Sequence, residues 1–352
     1  MNNSYNRILA AAITGICSIG WVGLVQATPI NGTLYYTTFA GGTNVHSVDY
    51  TYENGVTPLT LSNNVGITST AGADGLLFAP DGHLIIAGQN FNQLHEITTG
   101  GTAVNTVDAG TGSYHMALSS TASNAILYNL WNGPGSGGST SISATTLSGG
   151  GLSTNGVPYT VGCTALAGCN TDVRGLAYDP NNNTWYYGTA GDGAAGDFGT
   201  VTFDDTLHTA TLTTLLNGVY AHGLTFDSFT NDIILSSANI IQQYLPGTGI
   251  VSTYTGSTGG DQFDQTAVDG KGHLFAASNN GWLAFVDYSV TSLIGAGSNY
   301  SSEQFLASSL DDIAPLSGAG SNTVPEPSTA FLLGGGLTSL AYRYRRRSKA
   351  KA

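Results

Sequence analysis

The sequence predicts an all-β fold, a β-propeller, and three observations carry the prediction. No long window holds a clean 3.6-residue apolar period; short apolar or alternating runs are separated by Gly, Asn, Asp and Ser turns. One unit recurs along the chain: a polar residue, a short apolar strand, a turn, a second strand, a loop and a third strand. The two ends complement each other, as a ring of blades requires.

The elements follow in order. "NGTLYYTTFAGGTNVHSVDYTYENG" from Asn31 reads as strands two and three of a blade that lacks its first. Fuller units begin with "ADGLLFAPDGHLIIAGQN" at Ala73, "VRGLAYDPNNNTWYYG" at Val173, "AHGLTFDSFTNDIILSS" at Ala221 and "DQTAVDGKGHLFAASNN" at Asp264, with a weaker copy, "YHMALSSTASNAILYNLW", at Tyr114. Equivalent starts at Gly75, Met116, Gly175, Gly223 and Thr266 lie 41 to 59 residues apart, the period of four-stranded blades. Asp81-Gly82 and Gly270-Lys271-Gly272 suit tight hairpins, where positive φ costs Gly nothing. "LDDIAPLSG" from Leu310 supplies the missing first strand. The expected blades are 31–66 completed by 310–317, then 67–111, 112–170, 171–219, 220–261 and 262–309, six in all. Seven is the rival count, and a β-sandwich or β-solenoid the rival architecture. The Gly/Ser stretches 133–141 and 148–156 read as loops. Tyr35, Tyr36, Trp131, Trp185, Tyr186, Tyr187 and Trp282 fall in or beside strands and are expected between blades.

Both termini carry addresses. Arg7, the apolar run 8–25 and the small residue Ala27 form a signal peptide, residues 1–27, expected as a helix cut after Ala27. Residues 28–317 are then the propeller, 318–327 a linker, 328–342 a short uncharged hydrophobic helix and 343–352 a basic tail. Fifteen helical residues rise about 22 Å, short of the roughly 30 Å hydrocarbon core. Gly334, Gly335 and Gly336 weaken that span further. Arg343, Arg345, Arg346, Arg347, Lys349 and Lys351 would keep the tail in the cytoplasm. Pro325, Glu326 and Pro327 precede the hydrophobic segment. The triplet, the short apolar run and the Arg-rich end together resemble the PEP-CTERM sorting signal. The resemblance implies the secretion machinery and an exosortase as partners. It also implies transient inner-membrane anchoring, a final place on the cell surface or outside it, and extracellular polysaccharide of a biofilm matrix as a partner.

Charge excludes other partners. The chain has nine Lys and Arg and a formal net charge of −13. Apart from Arg7 and the tail, only Arg174 and Lys271 are cationic. Nucleic-acid binding needs cations in place of phosphate counterions, so it is excluded. Cys17 lies in the signal peptide; Cys163 and Cys169 remain in the exported body, where six-residue spacing suits a loop-stapling disulfide.

The repeat register marks a candidate site. The residue before each first strand should approach the central channel: Asp74, His115, Arg174, His222, Gln265 and Asp312, with Asp264 and Asp311 adjacent. Two His and an Asp suit a divalent metal; a His could serve as general base; Arg174 beside carboxylates could orient a polar ligand. No other cofactor is indicated. Asp192 and Asp197 in "GDGAAGDFG" offer calcium ligands but suit turns better, and His83 and His273 share one repeat position. No G-x-S-x-G elbow, P-loop, Rossmann fingerprint or zinc-type cysteine pair occurs.

"GLLFAPDGHLIIAG" from Gly75, echoed at Gly175 and Gly223, resembles the NHL, gluconolactonase-like and streptogramin-lyase-like propellers. These include hydrolases, lyases and binding scaffolds, so the resemblance implies a fold and not an activity. The ring does not reproduce the acid and amide ligands of the lactonase-type site. The expected function is an exported surface or matrix protein with a binding or structural role; the alternative is a lyase or lactonase-like hydrolase acting at the channel mouth.

Overall fold

The computed structural model describes residues 29–315 apart from 40–41, 54–56, 89–90, 111, 121, 132–140, 165–168, 192 and 258–261. These residues form 25 strands and no helix. The expected signal helix and the hydrophobic segment 328–342 lie outside them. Among the described residues no helix is long and apolar enough to cross a membrane.

The chain opens with β1 (Ile30–Thr38), β2 (Val45–Glu53) and β3 (Thr57–Thr68). Next come β4 (Leu76–Phe78), β5 (Leu84–Ala87), β6 (Gln93–Ile97) and β7 (Ala103–Asp108), then β8 (Met116–Leu118), β9 (Ile126–Trp131), β10 (Ser141–Ser148), β11 (Gly151–Leu152) and β12 (Val157–Cys163). The second half holds β13 (Gly175–Asp179), β14 (Thr184–Gly188), β15 (Gly196–Asp204), β16 (Thr209–Val219), β17 (Gly223–Asp227), β18 (Asp232–Ser237), β19 (Ile240–Leu245) and β20 (Gly249–Thr255). It ends with β21 (Phe263–Val268), β22 (His273–Ser278), β23 (Trp282–Asp287), β24 (Tyr300–Phe305) and β25 (Leu310–Pro315).

Four sheets are four-stranded meanders: β4 to β7, β17 to β20, β21 to β24, and β25-β1-β2-β3. In the last, β25 pairs antiparallel with β1, so that Tyr35 faces Ala314 and Tyr36 faces Ile313. A nine-stranded sheet runs β13-β14-β15-β16-β12-β10-β9-β8, with β11 paired to β10. Its two antiparallel halves meet through the parallel pair β12–β16, from Thr160 opposite Thr209 to Cys163 opposite Leu212. Stretch 148–156, expected as loop, holds β11 and a turn in which Gly149 and Gly150 take φ of 65° and 102°.

Period-2 side-chain alternation explains the core. The second strands β5, β18 and β22 are buried along their whole length because both faces are covered, and their centres are apolar. In β5, Leu84 and Ile86 join one apolar cluster while Ile85 and Ala87 join the next. In β18, Ile233 and Leu235 face Tyr186 and Phe198, whereas Ile234 faces Phe263 and Leu274. In β22, Phe275 and Ala277 turn towards Tyr50 and Leu34 of the first sheet. Apolar packing therefore passes from sheet to sheet and returns to the start. The innermost strands β25, β4, β8, β13, β17 and β21 each approach the next in the same order.

Turn chemistry sets the hairpins. The Asp81, Asp179, Asp227 and Asp269 carboxylates each accept the backbone N–H two residues on, at 2.8–3.0 Å. Such Asx turns replace backbone bonds at the strand end. Gly75, Gly175 and Gly223 serve a different need: a Cβ there would collide with the carbonyl oxygens of Tyr114, His222 and Asp264 respectively. These glycines let neighbouring inner strands close on one another.

Candidate functional site

The inner strand starts converge on a buried polar cluster. Asp74 precedes β4, His115 precedes β8, His222 precedes β17, Asp264 lies in β21, and Asp311 and Asp312 lie in β25. All six are between 0% and 3% exposed. His115 Nε2 lies 3.6 Å from Asp264 Oδ1, 3.6 Å from Asp312 Oδ1 and 3.9 Å from Asp74 Oδ1. His222 Nε2 lies 2.6 Å from Asp264 Oδ1 and 3.1 Å from the Tyr114 hydroxyl.

Backbone carbonyls fix both rings. His115 Nδ1–H donates to Arg174 O at 2.9 Å, and His222 Nδ1–H donates to Ala190 O at 2.9 Å. Each Nε2 is thereby turned inward among carboxylates. The Tyr114 ring stacks on His115 with centroids 4.2 Å apart, and the two imidazoles meet edge to face at 5.1 Å. Thr37 ties two of the acids together: its Oγ1 donates to Asp74 O at 2.8 Å and accepts Asp312 N–H at 3.1 Å. Asp312 Oδ2 accepts Leu76 N–H at 3.0 Å. His115 Nε2, Asp312 Oδ1, Asp264 Oδ2 and Asp311 Oδ2 are buried with no hydrogen-bond partner.

Electrostatics separates the acids. Burial opposes charge on His115, but Asp312, Asp264 and Asp74 outweigh it and raise the imidazole pKa to about 10. Burial likewise opposes Asp264 ionisation, yet His222 and His115 hold its carboxyl well below the usual carboxylate range. Asp311 goes the other way: burial, then the charges of Asp74, Asp264 and Asp312, push it well above that range. Asp312 rises to about 6, mainly by burial, with His115 offsetting part of the effect.

Of the residues expected on the ring, Asp74, His115, His222 and Asp312 meet at the cluster. Gln265 does not take the expected place. β21 carries a bulge between Phe263 and Thr266, and Asp264 faces the histidines instead. The Gln265 amide oxygen accepts Thr266 N–H at 3.3 Å. A second bulge, between the partners of Tyr36 and Thr38, places both Asp311 and Asp312 at the axis. Arg174 contributes its carbonyl; its guanidinium pairs with Asp172 at 2.9 Å, partly exposed. Tyr114 is the member the repeat register missed; the signal was an aromatic beside the ring histidine.

The remaining candidates lie apart from this cluster. His83 Nδ1 lies 2.8 Å from Glu96 Oε1 and 3.1 Å from Asp81 Oδ2, while Glu96 Oε2 accepts Leu152 N–H at 2.7 Å. This cluster clamps the β10–β11 hairpin to the neighbouring sheet. At the equivalent repeat position, His273 Nδ1 meets Asp269 Oδ2 at 2.7 Å. Asp197 Oδ2 accepts Asn170 N–H at 3.3 Å, and Asp192 lies outside the described residues. Tyr35, Tyr36, Tyr186 and Tyr187 are buried in the intersheet core. Cys163 and Cys169 are bonded, with Cα atoms 6.3 Å apart.

Comparisons with known proteins bear on the fold and the tail. No curated protein matches the chain. The periplasmic gluconolactonase of Pseudomonas aeruginosa is similar over 81% of this chain and 99% of its own, with 11% identity and a TM-score of 0.52. A protein from Lactobacillus plantarum is similar over 81% of this chain and 99% of its own, with 12% identity and a TM-score of 0.51. Virginiamycin B lyase from Staphylococcus aureus covers 79% of this chain and 88% of its own, with 11% identity and a TM-score of 0.45. At such identity the likeness concerns the fold alone. Residues 323–347 match the PEP-CTERM protein-sorting motif, which spans Pro325, Glu326 and Pro327. The chain thus joins a propeller-like all-β body to a PEP-CTERM sorting signal, the mark of a protein exported to the cell envelope or surface.

Proposed function

We propose that this protein is a six-bladed surface propeller with a binding or structural role, and not an enzyme. The observation that carries the reading is the closure of the axial ring. Asp74, His115, His222, Asp264 and Asp312 are at most 2% exposed, which leaves no approach for an organic substrate. A hydrolase or lyase needs its acid and base within hydrogen-bond reach of a bound substrate. The six blades are the four meanders and the two halves of the nine-stranded sheet, and the domain spans 28–317.

Sorting completes the reading. The signal peptide 1–27 is removed on export, segment 328–342 with its basic tail holds the chain briefly in the inner membrane, and an exosortase acts near Pro325–Pro327. The body is then displayed at the surface or released, where its Thr-rich outer strands meet matrix polysaccharide. The test is fractionation of the full chain in hosts with and without an exosortase. Tail-free protein at the surface in the first host, and tail-bearing protein at the inner membrane in the second, is the expected result. Tail-bearing protein accumulating in both would overturn it.

A further inference from the structure

We propose that the axial cluster holds one divalent first-row transition-metal ion, ligated by His115 Nε2 and by carboxylate oxygens of Asp312 and Asp74, whose ligand atoms lie within 4.8 Å of one another. Asp264, braced by His222, and Thr37 position the ligands. The inference goes beyond the surface-propeller reading, which rests on the closure of the ring and on the sorting signal and stands without it.

The geometry points to an ion in three ways. His115 Nε2 is 3.6 and 3.9 Å from the Oδ1 atoms of Asp312 and Asp74. These separations are too long for hydrogen bonds. They approach those of neighbouring ligands around a tetrahedral ion with bonds of about 2.0–2.2 Å, which stand about 3.3–3.6 Å apart. His115 Nε2 and Asp312 Oδ1 are fully buried, aimed at each other's side of the cluster and without hydrogen-bond partners, as are Asp264 Oδ2 and Asp311 Oδ2. Buried polar atoms in such number require a partner, and an ion satisfies several at once.

The surroundings are those of a ligand shell. A metal-bound histidine usually donates its second ring nitrogen to a carbonyl or carboxylate, which sets the tautomer and aims the other nitrogen. His115 does so through Arg174 O. His222 does so through Ala190 O and braces Asp264 at 2.6 Å. Asp312 is held by Leu76 N–H and through Thr37, whose hydroxyl also reaches the Asp74 backbone. One imidazole with two carboxylates suits manganese(II) or zinc(II), at the overlap of nitrogen- and oxygen-preferring ions. Closure of the site on all sides marks a structural ion, since a catalytic metal keeps an open position. Six inner strands meet here, and one ion tying β4, β8 and β25 would lock the ring.

The competing occupant is a proton on His115 Nε2, and metal analysis separates the two. The exported protein, isolated from its host, is unfolded with EDTA and refolded alone or with manganese(II) or zinc(II) chloride. About one equivalent of metal per chain as isolated, and a melting temperature raised by roughly 5 °C or more on refolding with one of the ions, is the expected result. Asp312→Asn and His115→Gln should lower metal content at least tenfold. Less than a tenth of an equivalent under every condition, with melting unchanged, would overturn the proposal even if the variants fail to fold. So would full metal content retained in folded Asp312→Asn, which would put the ion elsewhere.

Discussion

His222 Nε2 lies 2.6 Å from Asp264 Oδ1, and both side chains are at most 2% exposed. The pair joins the start of β17 to β21, and Asp264 in turn faces His115. Two imidazoles thus share one carboxylate in the buried centre of the molecule. Replacing Asp264 by Asn keeps the volume and removes the charge. Taking one partner from a buried pair costs about 3–5 kcal/mol, so Asp264→Asn should lower stability by that amount in denaturant unfolding. A loss under about 1 kcal/mol would mean that the histidines do not rely on it.

Inner-strand glycines make a steric prediction. A Cβ at Gly175 would strike His222 O and come within 2.5 Å of Leu224 Cδ1. Overpacking of this kind costs about 1–3 kcal/mol. A Cβ at Gly191 would meet nothing within 4 Å, so that position serves as control. Thermal melts should show Gly175→Ala destabilised and Gly191→Ala near wild type; equal melts would remove the close-approach argument.

His83 gives a pH dependence. The hydrogen bond to Glu96 raises its pKa above 6.5, with Asp81 assisting. A raised folded-state pKa stabilises the fold fully below 6.5 and less as pH climbs through the folded value. The stability gap between wild type and His83→Gln should therefore be widest in mild acid and narrow on the alkaline side. A gap constant across that range would show that His83 acts only by packing.

The Cys163–Cys169 link closes a small loop at the end of β12. In the chain-entropy model a ring of this size stabilises by about 2 kcal/mol. Exported protein, denatured without reductant, should show no free thiol, and Cys163→Ser with Cys169→Ser should melt lower. Two free thiols would refute the link.

Much of the architecture was legible in the chain. Strand positions followed from apolar runs such as Leu84–Ala87 and Ile233–Leu235, because strands covered on both faces must be apolar throughout. Hairpins followed from Asp81-Gly82 and Gly270-Lys271-Gly272, because turn chemistry is local. Asp74, His115, His222 and Asp312 followed from the register of the repeat. The sorting signal, too, is a property of sequence alone, since it is read as a linear motif.

Tertiary structure decided the rest. Side chains alternate with period 2, so one extra residue in β21 exchanges Asp264 for Gln265 at the axis, and no local pattern announces such a bulge. The parallel join of β12 to β16 depends on edges brought together by the ring, and Arg174 turns to Asp172 because that carboxylate is two residues away at the surface. The buried, shared environment of His115, His222 and four aspartates exists only when five distant strand starts converge, and burial there is what gives those side chains their chemistry.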